Sequence, residues 1–154
     1  MPTAAKVIAR SANFRSADGA TIIDGQGKTL IPGMIGLHDH LFYMAAGGRS
    51  NQMNFTAPRL YLGSGVTTIR TTGSASPYAD INLKRDIAAG KVPGPDIHVT
   101  THYLTGPRGG GDMATAATPE EARKFVAYWA EEGASWIKFY ADISRAAMKA
   151  AIDE

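Results

Sequence analysis

The chain has 154 residues, of which 44% are hydrophobic and 19% are charged, and its formal net charge is +2 at pH 7. This composition is typical of an ordinary globular protein with a core, and the scattered basic residues argue against a nucleic-acid or membrane surface. The absence of cysteine excludes disulfides and thiolate metal sites. The sequence has no long apolar span and no signal-peptide pattern, which predicts a cytoplasmic protein.

Seventeen glycines and eight prolines separate many short predicted elements. Residues 1–33 are predicted to form a lead-in of short strands and turns, with a weak strand at 6–9, a turn at 16–19 and a β-rich run at 20–24. Residues 34–154 form the second predicted domain. Its strands are predicted at 34–40, 66–70, 97–104 and 135–140, and its helices at 57–62, 78–89, 119–132 and from 145. Glycine-rich stretches at 45–54 and 105–113 are predicted to be loops.

The alternation of strand and helix predicts an α/β fold, in which a parallel sheet is covered by helices. The third helix has the clearest boundaries. Thr118 is its predicted N-cap, Pro119 its first residue and Glu121 the partner in a capping box, while Gly133 ends it.

Two histidines at the end of the first predicted strand form the first candidate site. Because side chains alternate along a strand, His38 and His40 lie on one face and Asp39 on the other. Paired imidazoles can bind one divalent ion, with zinc as the first candidate. A bare His-x-His pattern is short, so a pair of solvated or hydrogen-bonded histidines is the alternative interpretation.

The fourth predicted strand contains a lysine that alternation directs inward. Trp136, Lys138 and Tyr140 share one face, whereas Ile137 and Phe139 share the face that the helices cover. A lysine in a barrel interior is costly unless it is paired, neutralised or chemically modified. The alternative is a lysine whose ammonium reaches solvent at the end of the strand.

Three phrases, in this order, resemble the amidohydrolase superfamily, and they include prolidase- and imidazolonepropionase-like features. The first runs through Pro32 and Gly33 to the histidine pair, where the superfamily usually has Asp-x-His-x-His. The second is Gly-Val-Thr-Thr-Ile-Arg at 65–70, followed by Thr71 where an acid is usual. The third is Gly-Ala-Ser-Trp-Ile-Lys at 133–138, and in many amidohydrolases the matching lysine is carboxylated by carbon dioxide and bridges two metals. The resemblance spans residues 24–154.

This resemblance implies a metal-dependent hydrolase that cleaves a carbon–nitrogen bond of an amide, a dipeptide or a related cyclic substrate with metal-activated water. His38, His40 and a carboxylated Lys138 would be the metal ligands. The superfamily's later metal histidines and its catalytic aspartate have no counterpart in this sequence, so Asp39, Asp112 and Asp142 are the carboxylates that an assembled site could use.

The candidate substrate-binding residues are Tyr140 and His102. His98 and His102 are four residues apart and are therefore predicted to share one face of the third strand, where a structural or surface role is favoured over a role in the cleft.

A complete (β/α)8 barrel has roughly 250 residues, so four β/α units correspond to about half of one. We therefore expect the chain to associate with itself as a homo-oligomer or with a second chain that supplies the other half. A catalytically silent metal-binding or self-assembling barrel fragment is the alternative function. An α/β ligand-binding domain unrelated to hydrolases is the third possibility.

Overall fold

The computed structural model describes residue 19, residues 21–111 and residues 113–154, and the chain divides into two units, Met1–Pro32 and Gly33–Glu154. In the first unit the described residues form a turn at 26–27 and no helix or strand. The predicted strand at 6–9 and residues 16–18 of the predicted turn lie outside the described residues. The β-rich run predicted at 20–24 is wrong for residues 21–24, since they pair with no described strand.

The second unit contains eight strands and four helices among its described residues. The strands are β1 Met34–Asp39, β2 Phe42–Ala45, β3 Arg49–Gln52, β4 Val66–Thr71, β5 Asp96–His98, β6 Thr100–Thr105, β7 Ala114–Thr115 and β8 Trp136–Phe139. The helices are α1 Ala57–Gly63, α2 Pro77–Ala88, α3 Pro119–Glu132 and α4 Arg145–Asp153. The predicted mixed α/β fold is therefore confirmed.

Two parallel sheets form the framework. Strands β1, β4 and β5 make one sheet in that order, and β7, β6 and β8 make the other. The single strand predicted at 97–104 is divided at Val99, whose carbonyl oxygen accepts hydrogen bonds from Ser135 and Trp136. The residues before Val99 pair with β4 and those after it pair with β8, so one stretch of chain belongs to both sheets. The described strands do not close into a barrel.

The predicted loop at 45–54 is wrong, because most of it belongs to an antiparallel hairpin. Strands β2 and β3 pair from Phe42 with Gln52 to Ala45 with Arg49. The connection at 46–48 includes Gly47 and Gly48 with φ of 79° and 73°. Glycine adopts such left-handed conformations without steric cost, which allows the chain to reverse within three residues. The hairpin lies directly after the histidine pair.

The core consists of two apolar clusters under the helices. The first contains Trp129 of α3 with branched residues of β4 and β5, among them Ile69 and Ile97. The second joins Leu104 of β6 to the alanines of α3 and α4. Helix α3 begins with the predicted capping box, in which the Thr118 hydroxyl accepts from Glu121 N, and its C-cap Gly133 is left-handed with φ of 98°. Within the described part of the chain, no helix is long and apolar enough to span a membrane.

Candidate metal site

The two histidines of the first strand lie together at its carboxyl end. The ring centres of His38 and His40 are 5.7 Å apart and the ring planes are nearly perpendicular, at 78°. His38 is exposed and His40 is half-buried. This is the side-by-side placement that alternation predicts for residues two apart on a strand.

A backbone carbonyl orients His40. The Nδ1 atom of His40 lies 3.1 Å from the Gly73 carbonyl oxygen, just after β4. Because a carbonyl can only accept, Nδ1 holds the proton and donates it, which leaves the Nε2 lone pair available. Metal-binding histidines in proteins are commonly fixed in this way. The histidine pair therefore has the chemistry of a partial divalent-metal site.

The part of the chain that the structure describes offers few further ligands of the usual kinds. Among the described residues, no group of three or more His, Cys, Asp or Glu side chains lies close enough together to hold a metal ion. Lys138 of β8 is the remaining candidate from the sequence. It is half-buried, and no described residue forms an ion pair or hydrogen bond with it.

The position of Lys138 follows from its strand neighbours. In the parallel pairing of β6 and β8, Lys138 is opposite Tyr103, and the Tyr103 ring centre is 6.5 Å from that of His40. The neighbouring residues Ile137 and Phe139 pack into the apolar clusters under the helices. Lys138 thus lies on the same face of the sheet as Tyr103, whose ring neighbours that of His40.

The two candidate substrate-binding residues lie on different faces. The Tyr140 ring is 5.4 Å from Tyr103, on the side of the histidine pair. The His102 ring instead meets the Trp129 ring edge-on at 6.0 Å, beneath α3. His102 and Tyr103 are adjacent in β6 and so point in opposite directions. The position of His102 favours the structural role, and the shared face expected for His98 and His102 is wrong because they belong to different strands.

One of the three candidate carboxylates is bound by an arginine, and Asp112 lies outside the described residues. The Asp142 carboxylate accepts hydrogen bonds from the Arg108 backbone and guanidinium, which lower its pKa. Asp39 faces Tyr61 of α1. Burial, with the Asp39 charge as a further cause, raises the pKa of Tyr61 to about 12. Asp142 is thus occupied by Arg108, whereas the Oδ2 atom of Asp39 is buried without a hydrogen-bond partner among the described residues.

Asp39 also occupies the space beside Gly36. A Cβ atom at Gly36 would overlap the Asp39 carboxylate. Position 36 is where the amidohydrolase pattern usually has its aspartate, so the carboxylate here comes from a residue three positions later in the chain.

Arg70 is a site residue that sequence reasoning missed. Its guanidinium donates to the Leu37 carbonyl from Nε at 2.9 Å and from Nη2 at 2.6 Å, immediately before His38. It also lies over the Trp136 ring, 5.2 Å from the centroid, on the face of β8 that contains Lys138. Arg70 follows the buried Ile69 in the phrase that resembles the second barrel strand. Side-chain alternation therefore places Arg70 on the opposite face, and this was the signal that the sequence offered.

The known proteins to which this chain is similar are of one kind. No family model matches the chain. Dihydroorotases, which are amidohydrolases, from Streptomyces coelicolor and Pelotomaculum thermopropionicum are each 32% identical to it, over 65 and 73 residues. These matches cover 42% and 47% of this chain but 15% and 17% of the relatives.

Solved structures extend the similarity over most of the chain. A Bifidobacterium longum protein assigned as a prolidase is 37% identical, with a TM-score of 0.64, over 80% of this chain and 32% of that one. The chain is similar to amidohydrolase-family proteins. A prolidase with bound N-methylphosphonate-L-proline has the same fold at 24% identity, with a TM-score of 0.67, over 91% of this chain and 44% of that one. The amidohydrolase resemblance predicted from the three phrases is thus confirmed, and the chain spans less than half of each of these proteins.

Proposed function

We propose that the chain supplies the first metal ligands of an amidohydrolase-type enzyme that cleaves a carbon–nitrogen bond of an amide, dipeptide or related cyclic substrate. The observation that supports this most is the histidine pair, in which the Gly73 carbonyl leaves Nε2 of His40 free to bind. A divalent ion, with zinc first, would lower the pKa of a bound water and polarise the scissile carbonyl. The similarity to prolidases and dihydroorotases supports the same reaction class.

Lys138 is the proposed third ligand, after carboxylation of its amine by carbon dioxide. The modified side chain would be an anion, which a divalent ion bound by the histidine pair would stabilise. The positive charge of Arg70 on the same face adds to this effect. Arg70 further holds the backbone at Leu37 and so fixes the position from which His38 projects.

The proposed function predicts that metal retention requires the histidine pair. After equilibration with zinc and dialysis, we expect the wild-type chain to retain metal and the His38→Ala/His40→Ala double variant to lose it. Elemental analysis measures this, and His98→Ala is the matched control, because His98 is exposed and near Asp96 rather than the pair. Equal zinc content in the double variant and the wild type would contradict the assignment of the ligands.

Lys138 is tested separately with labelled bicarbonate. In the presence of metal, we expect a carbamate resonance in the ¹³C spectrum and faster hydrolysis of simple dipeptides, amides or lactones. Both should be absent in Lys138→Ala and retained in Lys149→Ala, an exposed lysine paired with Asp153 on α4. The hydrolase proposal would be overturned if hydrolysis stayed at the background rate in the monomer and in every oligomer of the chain.

The second candidate function is a silent metal-binding module. It is favoured by the placement of the described candidate carboxylates, since Arg108 binds Asp142 and Asp39 faces Tyr61 of α1. A module of this kind would retain zinc through His38 and His40 without hydrolysing any of the substrates.

We also propose that the four units are part of a barrel that a second copy or a second chain completes. Strand β1 has a described neighbour on one side only, and its side chains Ile35 and Leu37 are 64% and 66% exposed. Exposed strand edges and apolar faces of this kind favour association. We expect light scattering at about tens of micromolar to give a dimer mass, twice 16.3 kDa, since ordinary dimers saturate there.

Two lysine variants test whether β1 is the contact. Ile35→Lys/Leu37→Lys should shift the population toward the monomer. Ile152→Lys, at a residue that is 67% exposed on α4, should leave the mass unchanged. A wild-type mass near 16.3 kDa, or a double variant as dimeric as the wild type, would rule out self-association through β1.

A further inference from the structure

A cleft lies between helices α1 and α2, and neither histidine of the candidate metal site borders it. Its volume is about 370 Å³, and its walls are the segment before α1, one face of α2 and Val92 after α2. Leu83 belongs both to its lining and to the first apolar cluster, which packs under the helices. Small-molecule pockets in proteins usually have volumes of roughly 300–1,000 Å³, so this cleft fits a group of amino-acid size.

Contacts between separate segments hold the walls of the cleft together. The Asn54 side-chain amide donates to the Ala79 carbonyl oxygen at 2.7 Å, which joins the segment before α1 to the first turn of α2. The chain after α2 packs against both helices, since a Cβ atom at Gly94 would overlap Ile87 and approach Pro58 closely. The cleft is therefore formed in the free protein, which reduces the entropy that a ligand loses the protein on binding.

Arg59 brings an unpaired positive charge to the cleft. Its guanidinium carbon lies 3.9 Å from the centre of the Phe55 ring, and its Nη1 atom donates to the Phe55 carbonyl oxygen. These contacts fix the half-buried side chain, yet no carboxylate of the described residues pairs with it. A guanidinium has more N–H donors than this one bond uses, and their planar fork matches the two oxygens of a carboxylate.

The α2 wall of the cleft carries the opposite charge. Asp86 lines the cleft, and only one of its carboxylate oxygens has a partner among the described residues, Lys91 Nζ at 3.0 Å. Arg59 and Asp86 form no ion pair with each other, so both charges are available to a ligand that contacts them together. The apolar part of the lining includes the side chains of Ala79, Leu83 and Val92.

From these contacts we infer that the cleft between α1 and α2 binds a free amino acid with an apolar side chain, such as leucine. Arg59 binds its carboxylate, Asp86 binds its ammonium group, and Leu83 and Val92 contact its side chain. A zwitterion satisfies both charges of the cleft, whereas an ion of one sign leaves the other charge uncompensated. The site is separate from the candidate metal ligands, and binding requires neither metal nor hydrolysis.

The test is a binding experiment on the full chain in EDTA at about pH 6.5, where α-amino groups are protonated. L-leucine is the zwitterionic probe, N-acetyl-L-leucine lacks the ammonium group and L-leucinamide lacks the carboxylate. With ¹³C-methyl labelling of leucine and valine, we expect L-leucine to shift the Leu83 and Val92 resonances and to leave Leu104, in the second apolar cluster, unchanged. Each one-charge probe should bind about tenfold or more weakly, because it lacks one charge-assisted hydrogen bond.

Two variants assign the charges. Arg59→Gln should weaken the binding of L-leucine about tenfold and leave that of L-leucinamide unchanged, because only the carboxylate loses its partner. Asp86→Asn should weaken the binding of L-leucine and L-leucinamide but not that of N-acetyl-L-leucine. Arg123→Gln, at an exposed residue of α3, is the control and should bind all three probes as the wild type does.

Circular dichroism checks that the three variants fold. The inference would be overturned by equal binding of the three probes, by resonance shifts confined to methyl groups outside the cleft, or by no shift at all. It would also be overturned if Arg59→Gln and Asp86→Asn weakened the three probes equally. Hydrolysis does not enter any of these measurements, so failure of the proposed function would leave this inference standing.

Discussion

Replacement of Trp129 by alanine is expected to lower the free energy of unfolding by about 3–5 kcal/mol, the usual cost of removing a buried aromatic side chain. Trp129 is 6% exposed and belongs to the first apolar cluster. Its ring meets those of Tyr78 and Tyr128 at 5.2 Å each and that of His102 at 6.0 Å. Alanine would leave a cavity between α2, α3 and β6 that these rings cannot fill by small movements.

Trp136 provides a matched control for this substitution. It is 49% exposed, and the Arg70 guanidinium lies over its ring. Trp136→Ala should therefore cost about 1 kcal/mol or less. Urea denaturation followed by circular dichroism measures both variants without relying on tryptophan fluorescence. Similar losses in the two variants would contradict the placement of Trp129 as the central aromatic residue of the core.

Replacement of Asp80 by asparagine is expected to stabilise the protein at neutral pH by up to about 3 kcal/mol. Asp80 is fully buried, and burial raises its pKa from 3.8 to about 6 despite hydrogen bonds from Ser74 and Gln52. A shift of this size corresponds to about 3 kcal/mol at roughly 1.4 kcal/mol per pKa unit. Asparagine is nearly isosteric, remains neutral and can keep the bond in which Gln52 Nε2 donates to Oδ1 at 2.6 Å.

The pH dependence of the stability identifies the cause. The folded state binds the Asp80 proton more tightly than the unfolded state, so protonation of Asp80 stabilises the wild-type fold. This contribution is complete below about pH 4 and is lost as the pH rises through about 6. Asp80→Asn should remove this fall between pH 4 and 6, and the variant should gain nothing at lower pH. Asp86→Asn, at a partly exposed residue of the same helix paired with Lys91, is the control. The raised pKa of Asp80 would be contradicted if the free energy of unfolding changed by the same amount between pH 4 and 6 in the wild type and in Asp80→Asn.

Local signals account for the parts of the fold that the sequence predicted well. Helix α3 formed as predicted because Thr118, Glu121 and Gly133 specify its ends by contacts within a few residues. The division at Val99 depends on two different partner strands, which no local pattern specifies. In α4 the alanines at 147, 150 and 151 are buried, and two of them pack with Ala122 of α3 in the second apolar cluster.

The hairpin was missed although its turn is visible in the sequence. Gly47 and Gly48 between two short runs are a recognised hairpin signal, but Arg49 to Gln52 has no strand-forming residue. In the candidate site, the histidine pair and the face of Lys138 follow from alternation alone. The Gly73 carbonyl could not be predicted, since a backbone atom 33 residues away leaves no trace in side-chain identity.

The overlap of Gly36 and Asp39 sets a rule for how this segment can vary. The overlapping atoms are the carboxylate end of Asp39, so a side chain at position 36 would displace that carboxylate rather than the backbone. An acid at position 36 is therefore accommodated most easily with a small residue at 39, and an acid at 39 with glycine at 36. Homologous sequences should favour these two combinations, and this chain has the one with the later acid.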